Sequence, residues 1–505
     1  MRVPSTSRRQ FLQLAGAGAA ATCVGCDSKM RRIFLGPLAN GIDAVKLTPF
    51  VSPAGDQVDL ISHVISRLTW GAAPGDWARV ASLADSPEEA ANMFINASLQ
   101  GDSERIEAGS SELARQMLGL DLHESILDKA GELYDYHPRK LNFDLTRAAL
   151  LRAVRSPNQL YEVMVAFWTD HFNIDSSKSD CAWLKPFDDR TVIRKHALGN
   201  FAAMLKDSAL SPAMLFYLDG RENTNKGKPN ENYARELMEL HTIGVHGGYT
   251  QTDVLEAARC LTGWYAIGRD SKRFGIGKVE FIANRHDDGA KTVLGKTIAA
   301  GGGRKDLDDL LAIVMNHEAT PQFIATKLCR RFISDEPPAG AISSTATAFK
   351  TSQGDIKQTL RALFATSEFR TARRTKFKRP FHFLVSALRA TGVPHECGRE
   401  VQIALRRMGH MPFDYPTPEG YSDHGDDWMS TLLARWDFAL RLGRGQIGVP
   451  TWQQETLVQA AGGEEGLIRH LLGRKPAAEE SATLAAADPR NRLAMLLSMP
   501  DFQQY

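Results

Sequence analysis

Asp59-Leu60-Ile61-Ser62-His63-Val64-Ile65-Ser66-Arg67-Leu68 sets apolar side chains at positions 60, 61, 64, 65 and 68. That i, i+3, i+4 spacing is the stripe of an amphipathic helix, with Asp59 as a natural N-cap. The same period returns outward along the chain, near 86–100, 111–131, 143–154, 158–172, 191–206, 231–243 and 252–262. It continues near 306–316, 319–333, 355–366, 379–391, 399–408, 428–442, 454–472 and 490–498. Pro and Gly punctuate the stripes, as at Ser211-Pro212 and Gly247-Gly248. The predicted fold is therefore all-α: one large helical body over 59–450, with C-terminal helices over 451–505 packed on the same body. One stretch breaks the pattern. Around 272–296 the residues read as short extended pieces joined at Asp288-Gly289, which predicts a small β-hairpin flap.

Composition narrows the function classes. The 505 residues are 43% hydrophobic and 24% charged, an ordinary globular balance. Lys plus Arg is 61 against 59 Asp plus Glu, for a net charge of +2. No basic excess points to nucleic acid. Six cysteines stand at 23, 26, 181, 260, 329 and 397, and the last four have no metal-ligand spacing. They leave room for one or two disulfides without assigning any.

The N-terminus carries the strongest local signal. Ser7-Arg8-Arg9-Gln10-Phe11-Leu12 followed by a weakly apolar run resembles a twin-arginine export leader over 1–26. The run from Phe11 to Val24 is too short and too polar for a spanning helix, which needs about 20 apolar residues. Two processing routes are open. Ala19-Ala20-Ala21 offers ordinary cleavage, and Val24-Gly25-Cys26 resembles a lipobox that would place a lipid on Cys26 and anchor the protein to a membrane. Residues 27–58, with Pro37, Pro49 and Pro53, read as a linker or surface wrap. The expected location is periplasmic or extracellular.

The stretch Pro229-Asn230-Glu231-Asn232-Tyr233-Ala234-Arg235-Glu236-Leu237-Met238-Glu239-Leu240-His241 resembles the bacterial domain of unknown function 1800. Leu68-Thr69-Trp70-Gly71-Ala72, Phe167-Trp168-Thr169-Asp170-His171-Phe172 and Ala258-Arg259-Cys260-Leu261-Thr262-Gly263-Trp264 fit the same family, in matching order over roughly 60–450. Three positions depart from it. His382 stands where Glu is frequent, His410 where Gln is common, and Tyr421 where Trp is usual. The resemblance implies an exported, mostly helical protein without an established activity. Its genes often neighbour those of a second exported family, which implies a partner.

On a regular helix Glu231, Asn232, Arg235, Glu236 and Glu239 share one arc, and His241 falls on the apolar arc. Asn230 suits the cap. The arc reads either as an exposed ladder of i, i+4 ion pairs or as a carboxylate cluster facing a pocket. In the second reading Glu236 and Glu239 act as acid and base, Arg235 positions them, and His171 and His286 assist. Asn230, Glu231, Asn232, His196, Arg259, Trp264 and Lys327 complete a polar set for substrate. His196 and Asn200 are expected to share a helix face, and His286 to ride on the flap. A metal ion is left open without a ligand motif: there is no His-Glu-x-x-His and no di-iron Glu-x-x-His pair. No Gly-x-Ser-x-Gly elbow occurs either. The basic run from Arg370 to Arg379 reads as a solvated helix-to-helix connector or a surface for anionic lipid or polysaccharide. Two functions follow as expectations: an exported hydrolase of envelope or extracellular polymer, or a non-catalytic envelope scaffold or secretion partner.

Overall fold

A computed structural model describes residues 47–100, 137–270, 275, 277–448 and 453–505. The leader, Cys26 and the 111–131 stripe lie outside the described residues. Within them the chain is mainly helical, with two small antiparallel ribbons. The opening stripe forms the helix Leu60–Leu68, capped by the Asp59 carboxylate accepting from the Ser62 N–H at 2.6 Å. Its Ile61, Val64, Ile65 and Leu68 are buried. It packs against Pro87–Leu99, which starts as a helix should: Ser86 caps, proline leads, and Glu88 and Glu89 sit at the positive end of the dipole.

One continuous hydrophobic cluster runs from Ile61 to Phe502. The helix Leu432–Gly443 lies along Pro489–Ser498, and Gly443 is where the two backbones meet. A Cβ there would stand 3.2 Å from the Ala494 nitrogen. Residues 47–58 wrap over the C-terminal helices, with the Phe50 N–H donating to Ala460 O at 2.9 Å and Ser52 Oγ to Gly466 O at 3.0 Å. The chain's last residues return to the middle of the sequence. Gln504 bridges Phe377, and Tyr505 exchanges backbone hydrogen bonds with Lys376.

The single flap expected at 272–296 is instead two ribbons. β1 (Trp264–Ala266) pairs with β2 (Val279–Phe281), and β3 (Lys291–Val293) with β4 (Lys296–Ile298). The second turn is Leu294-Gly295, both left-handed at φ 50° and 71°, as a two-residue hairpin loop demands. Leucine hides that turn from a sequence reading, and here the Leu294 N–H is held by Asp253 Oδ1 at 2.6 Å. Asp288-Gly289 is spent otherwise: Asp288 accepts from the backbone of Gly301 and Gly303.

Two further expectations change. The 191–206 stripe is broken at Gly199, and Asn200 caps the next helix, Phe201–Ala209, by accepting from Ala203 N at 3.2 Å. His196 and Asn200 therefore do not share a helix face. The basic run is not a solvated connector. Arg370 reaches Glu88 and Asn92, Arg373 donates to Val58 O, Lys376 pairs with Asp335 and Arg379 with Asp170. It staples the first helices to the C-terminal ones.

Candidate functional site

The helix Gln159–His171 ends in Asp170 and His171, and the helix Ala319–Phe332 brings Lys327 opposite them. A loop over residues 411–424 closes the space with Tyr415, Glu419, Tyr421 and Asp423. Together they line a cleft of about 280 Å³. The loop is tied down by side chains rather than by regular structure. Asn173 Nδ2 donates to the carbonyls of Tyr415 and Thr417 at 2.9 and 2.8 Å. Tyr217 OH donates to Pro416 O at 2.9 Å, and Tyr421 OH to Met411 O at 2.9 Å. Gly420 makes the closure feasible: its φ is 73°, and a Cβ would sit 2.2 Å from the Asp170 carbonyl oxygen.

Charge in the cleft is arranged unevenly. Arg379 donates from Nη1 to Asp170 Oδ2 at 2.7 Å, and its Nε lies 3.5 Å from Asp423 Oδ1. Burial alone would push both acids up. It prevails at Asp170, whereas Arg379, Lys376, Arg331 and Lys327 together hold Asp423 down at about 2. Lys327 has no hydrogen-bond or ion-pair partner among the described residues and lies 5.5 Å from the Phe323 ring centre. Burial, partly offset by Asp423 and Asp170, brings its ammonium down to about 8. His171 contacts the His241 carbonyl through Nε2 at 3.1 Å, and its Nδ1 has no partner. Burial, then Lys327 and His241, keep the His171 imidazole neutral well below the usual histidine range. A cleft with a lysine amine near its titration point can bind anions or move protons.

Of the residues expected at a site, His171 and Lys327 share this cleft. Glu236 stands near it: burial, Glu239 and Glu419 on the cleft rim all raise its carboxyl. Its neighbours form the ladder. Arg235 reaches Glu231 at 3.2 Å, Glu239 at 3.4 Å and Gln251 at 2.8 Å, and Lys228 also pairs with Glu231. Asn230 accepts from the Asn232 N–H at 3.0 Å, and both amides reach back to Asp219. After Glu236 the helix widens into a π-turn, Leu237–Thr242, and buries His241 completely.

The rest do not converge with them. His286 is buried, not on a flap. Its Nδ1 faces Thr262 O at 2.9 Å and its Nε2 faces Asp306 at 3.1 Å, with Lys291 on the same carboxylate. Arg259 holds Glu256 and Asp287, and Trp264 meets Phe281 edge-on. These three fasten the ribbons to the helices, and none lines the Lys327 cleft. His196 pairs with Asp207 at 2.7 Å. Sequence reasoning passed over Glu419, Asp423 and the loop that carries them. The one available signal was the Pro- and Gly-rich stretch from 412 to 420, since loops tied to a rigid frame often carry function.

Among the described residues no three His, Cys, Asp or Glu side chains converge for a metal ion, and no helix is long and apolar enough to cross a membrane. Cys181, Cys260, Cys329 and Cys397 are free, buried thiols. A family model described as a protein of unknown function, DUF1800, matches residues 63–504. The chain belongs to the DUF1800 family. The match extends past residue 450 and so takes in the C-terminal helices, the cleft loop and the returning residues that bridge to Phe377. No match was found among curated proteins or among solved structures. For this DUF1800 chain the site must therefore be argued from its own geometry.

Proposed function

We propose that the protein is an exported hydrolase of envelope or extracellular polymer that works through the Lys327 cleft. The observation that carries this reading is an unpaired lysine amine in an open cleft whose neighbouring acids are already committed to Arg379. In its amine form Lys327 takes a proton from water, which attacks the bond to be cleaved. The resulting ammonium returns that proton to the leaving group. Glu419 at the rim, with Glu236 near it, suits hydroxyl or amino groups of a polymer chain.

The test is direct. Purified protein is incubated with peptidoglycan and with exopolysaccharide, and new reducing ends and amino groups are counted. Lys327→Met is expected to lower release at least ~100-fold, the usual worth of a positioned base, with an unchanged helical circular-dichroism spectrum. Release by the variant at the wild-type rate, or none from either polymer by the wild type, overturns the reading.

Export is tested separately. Residues 1–30 fused to a reporter are expected outside the cytoplasm, and Arg8→Lys with Arg9→Lys is expected to retain it inside. A reporter that stays inside with the native leader removes the compartment from the proposal. Cys26→Ser in the same fusion separates lipid anchoring from cleavage after Ala21.

A second reading, a scaffold or the partner of another exported protein, is favoured by one surface feature. Met429, Leu433 and Trp436 follow one another along a helical face at 49%, 76% and 48% exposure. Loss of a co-purifying exported protein on Leu433→Asp, with Lys327→Met silent in every assay, would select it.

A further inference from the structure

Beyond the cleft, the interior holds a group of basic side chains, Arg67, Arg331, Lys378 and His382, none of which is in ion-pair contact with a carboxylate among the described residues. Arg67 is fully buried, and its Nη2 is used on Ile333 O, Ala372 O and Thr375 Oγ1. Its Nε and Nη1 have no partner. Arg331 donates to Tyr505 OH through Nη1 and leaves Nη2 unpaired. His382, 2% exposed, leaves Nε2 unpaired. Lys378, 6% exposed, has no partner for Nζ among the described residues except the face of the Phe502 ring at 3.9 Å. These groups surround one aromatic ring. The Tyr505 ring centre lies 4.8 Å from the Arg67 guanidinium, 5.4 Å from that of Arg331 and 4.2 Å from the His382 ring.

A cavity of about 90 Å³ opens beside that ring, and Lys378, His382 and Tyr505 line it. Buried donors are nearly always met, and buried charges are nearly always neutralised. The acids in reach are spent elsewhere: Asp335 on Lys376, Asp501 on Arg374 and Arg474. What is missing is an acceptor that carries negative charge. The volume holds roughly three waters, or one small oxyanion.

We propose that this cavity is a binding site for a small oxyanion, a phosphate or carboxylate group, held by Lys378 and His382 in the field of Arg67 and Arg331. The site favours an anion over a cation: Lys378, His382 and Arg374 line it, and the one carboxylate among its described lining residues, Asp501, is already paired with Arg374 and Arg474. Titration tendencies agree with the geometry. Burial, then Arg374 and Arg435, drive Lys378 well below the usual lysine range, and burial, then Arg331 and Lys378, do the same to His382. An anion between them stabilises the charged form of each side chain and so opposes both shifts.

The experiment is equilibrium dialysis of the full chain against labelled inorganic phosphate and, separately, labelled acetate, at fixed ionic strength. Saturable binding near one ion per chain is expected for at least one probe, and which probe binds assigns phosphate or carboxylate. Lys378→Met is expected to weaken it at least 10-fold. His382→Glu places a carboxylate in the cavity, so it is expected to abolish binding and to raise the melting temperature. It carries the test alone if the lysine variant does not fold. Lys327→Met leaves binding unchanged, which separates this site from the cleft. No saturable binding of either probe, or equal binding by wild type and His382→Glu, overturns the proposal.

Discussion

Acidified from pH 7, the protein is expected to unfold in one cooperative step near pH 5, well above the pH at which carboxylates usually control acid denaturation. The cause is a set of histidines buried as neutral rings. Burial first brings His63 and His241 down to about 3 and His395 to about 4, and moves His171, His410 and His470 below their ordinary value; neighbouring cations add to this at all but His470, where the Ala390 carbonyl and Asp76 oppose it. The unfolded chain titrates these groups near 6.5. Their folded-state values are depressed, so their contribution is complete above about 6.5 and is lost as pH falls toward the folded value. Each costs about 1.4 kcal/mol for every pH unit below 6.5. His63, His241 and His395 alone amount to roughly 6 kcal/mol by pH 5, comparable with a whole folding free energy, and the other three act in the same direction. Ellipticity at 222 nm followed against pH measures the midpoint. His241→Phe should shift it downward, because both ring nitrogens of His241 lack partners among Phe172, Tyr233 and His171. A midpoint near pH 3 that this variant leaves in place contradicts the account.

Arg379→Met is expected to be the most damaging single substitution in the cleft. The guanidinium is the ion-pair partner of both Asp170 and Asp423, and all three are largely withdrawn from solvent. Removing it takes the direct ion-pair partner from two neighbouring buried carboxyls, which costs about 3–5 kcal/mol. The sign with pH is specific. Asp423 is held at about 2, so its contribution is present above the unfolded value of about 3.9 and fades as pH falls through 2. Wild type and variant should therefore differ most at neutral pH and draw together on acidification. Urea unfolding at pH 7 reads the loss. Adding Asp423→Asn to Arg379→Met should recover part of it, since one of the stranded charges is then gone. A double variant no more stable than the single one rules out charge stranding as the mechanism.

Helices were readable because their apolar stripes are local: Leu60–Leu68 is dictated by residues within two turns of one another. The ribbons were only partly readable. Asp288-Gly289 has the composition of a turn, yet two backbone partners from the glycine loop claim Asp288, while Leu294-Gly295 makes the turn with Asp253 holding its N–H. The candidate site divides the same way. His171 is legible as the histidine that ends an aromatic helix, and Lys327 as one of the polar set with Arg259 and Trp264. Glu419 and Asp423 are not legible, because a loop has no period and their meaning comes from Asn173, Tyr217 and Arg379, far away in sequence. His286 reads from the sequence as a flap residue, but its partner Asp306 lies on the next helix and converts it into a packing element. The basic run misled for a related reason. Charge composition predicts solvent, and only tertiary contacts with Glu88, Asp335 and Asp170 reveal that the run is interior.

The bridge between Phe377 and Gln504, with Phe502 buried beside it, has a consequence for how the molecule comes into being. The ring of Tyr505 completes the surroundings of arginines contributed by two helices, one near residue 67 and one near residue 331. Those arginines reach their final surroundings only once a segment 174 positions beyond Arg331 has been made and has docked, so this centre consolidates late and over long range.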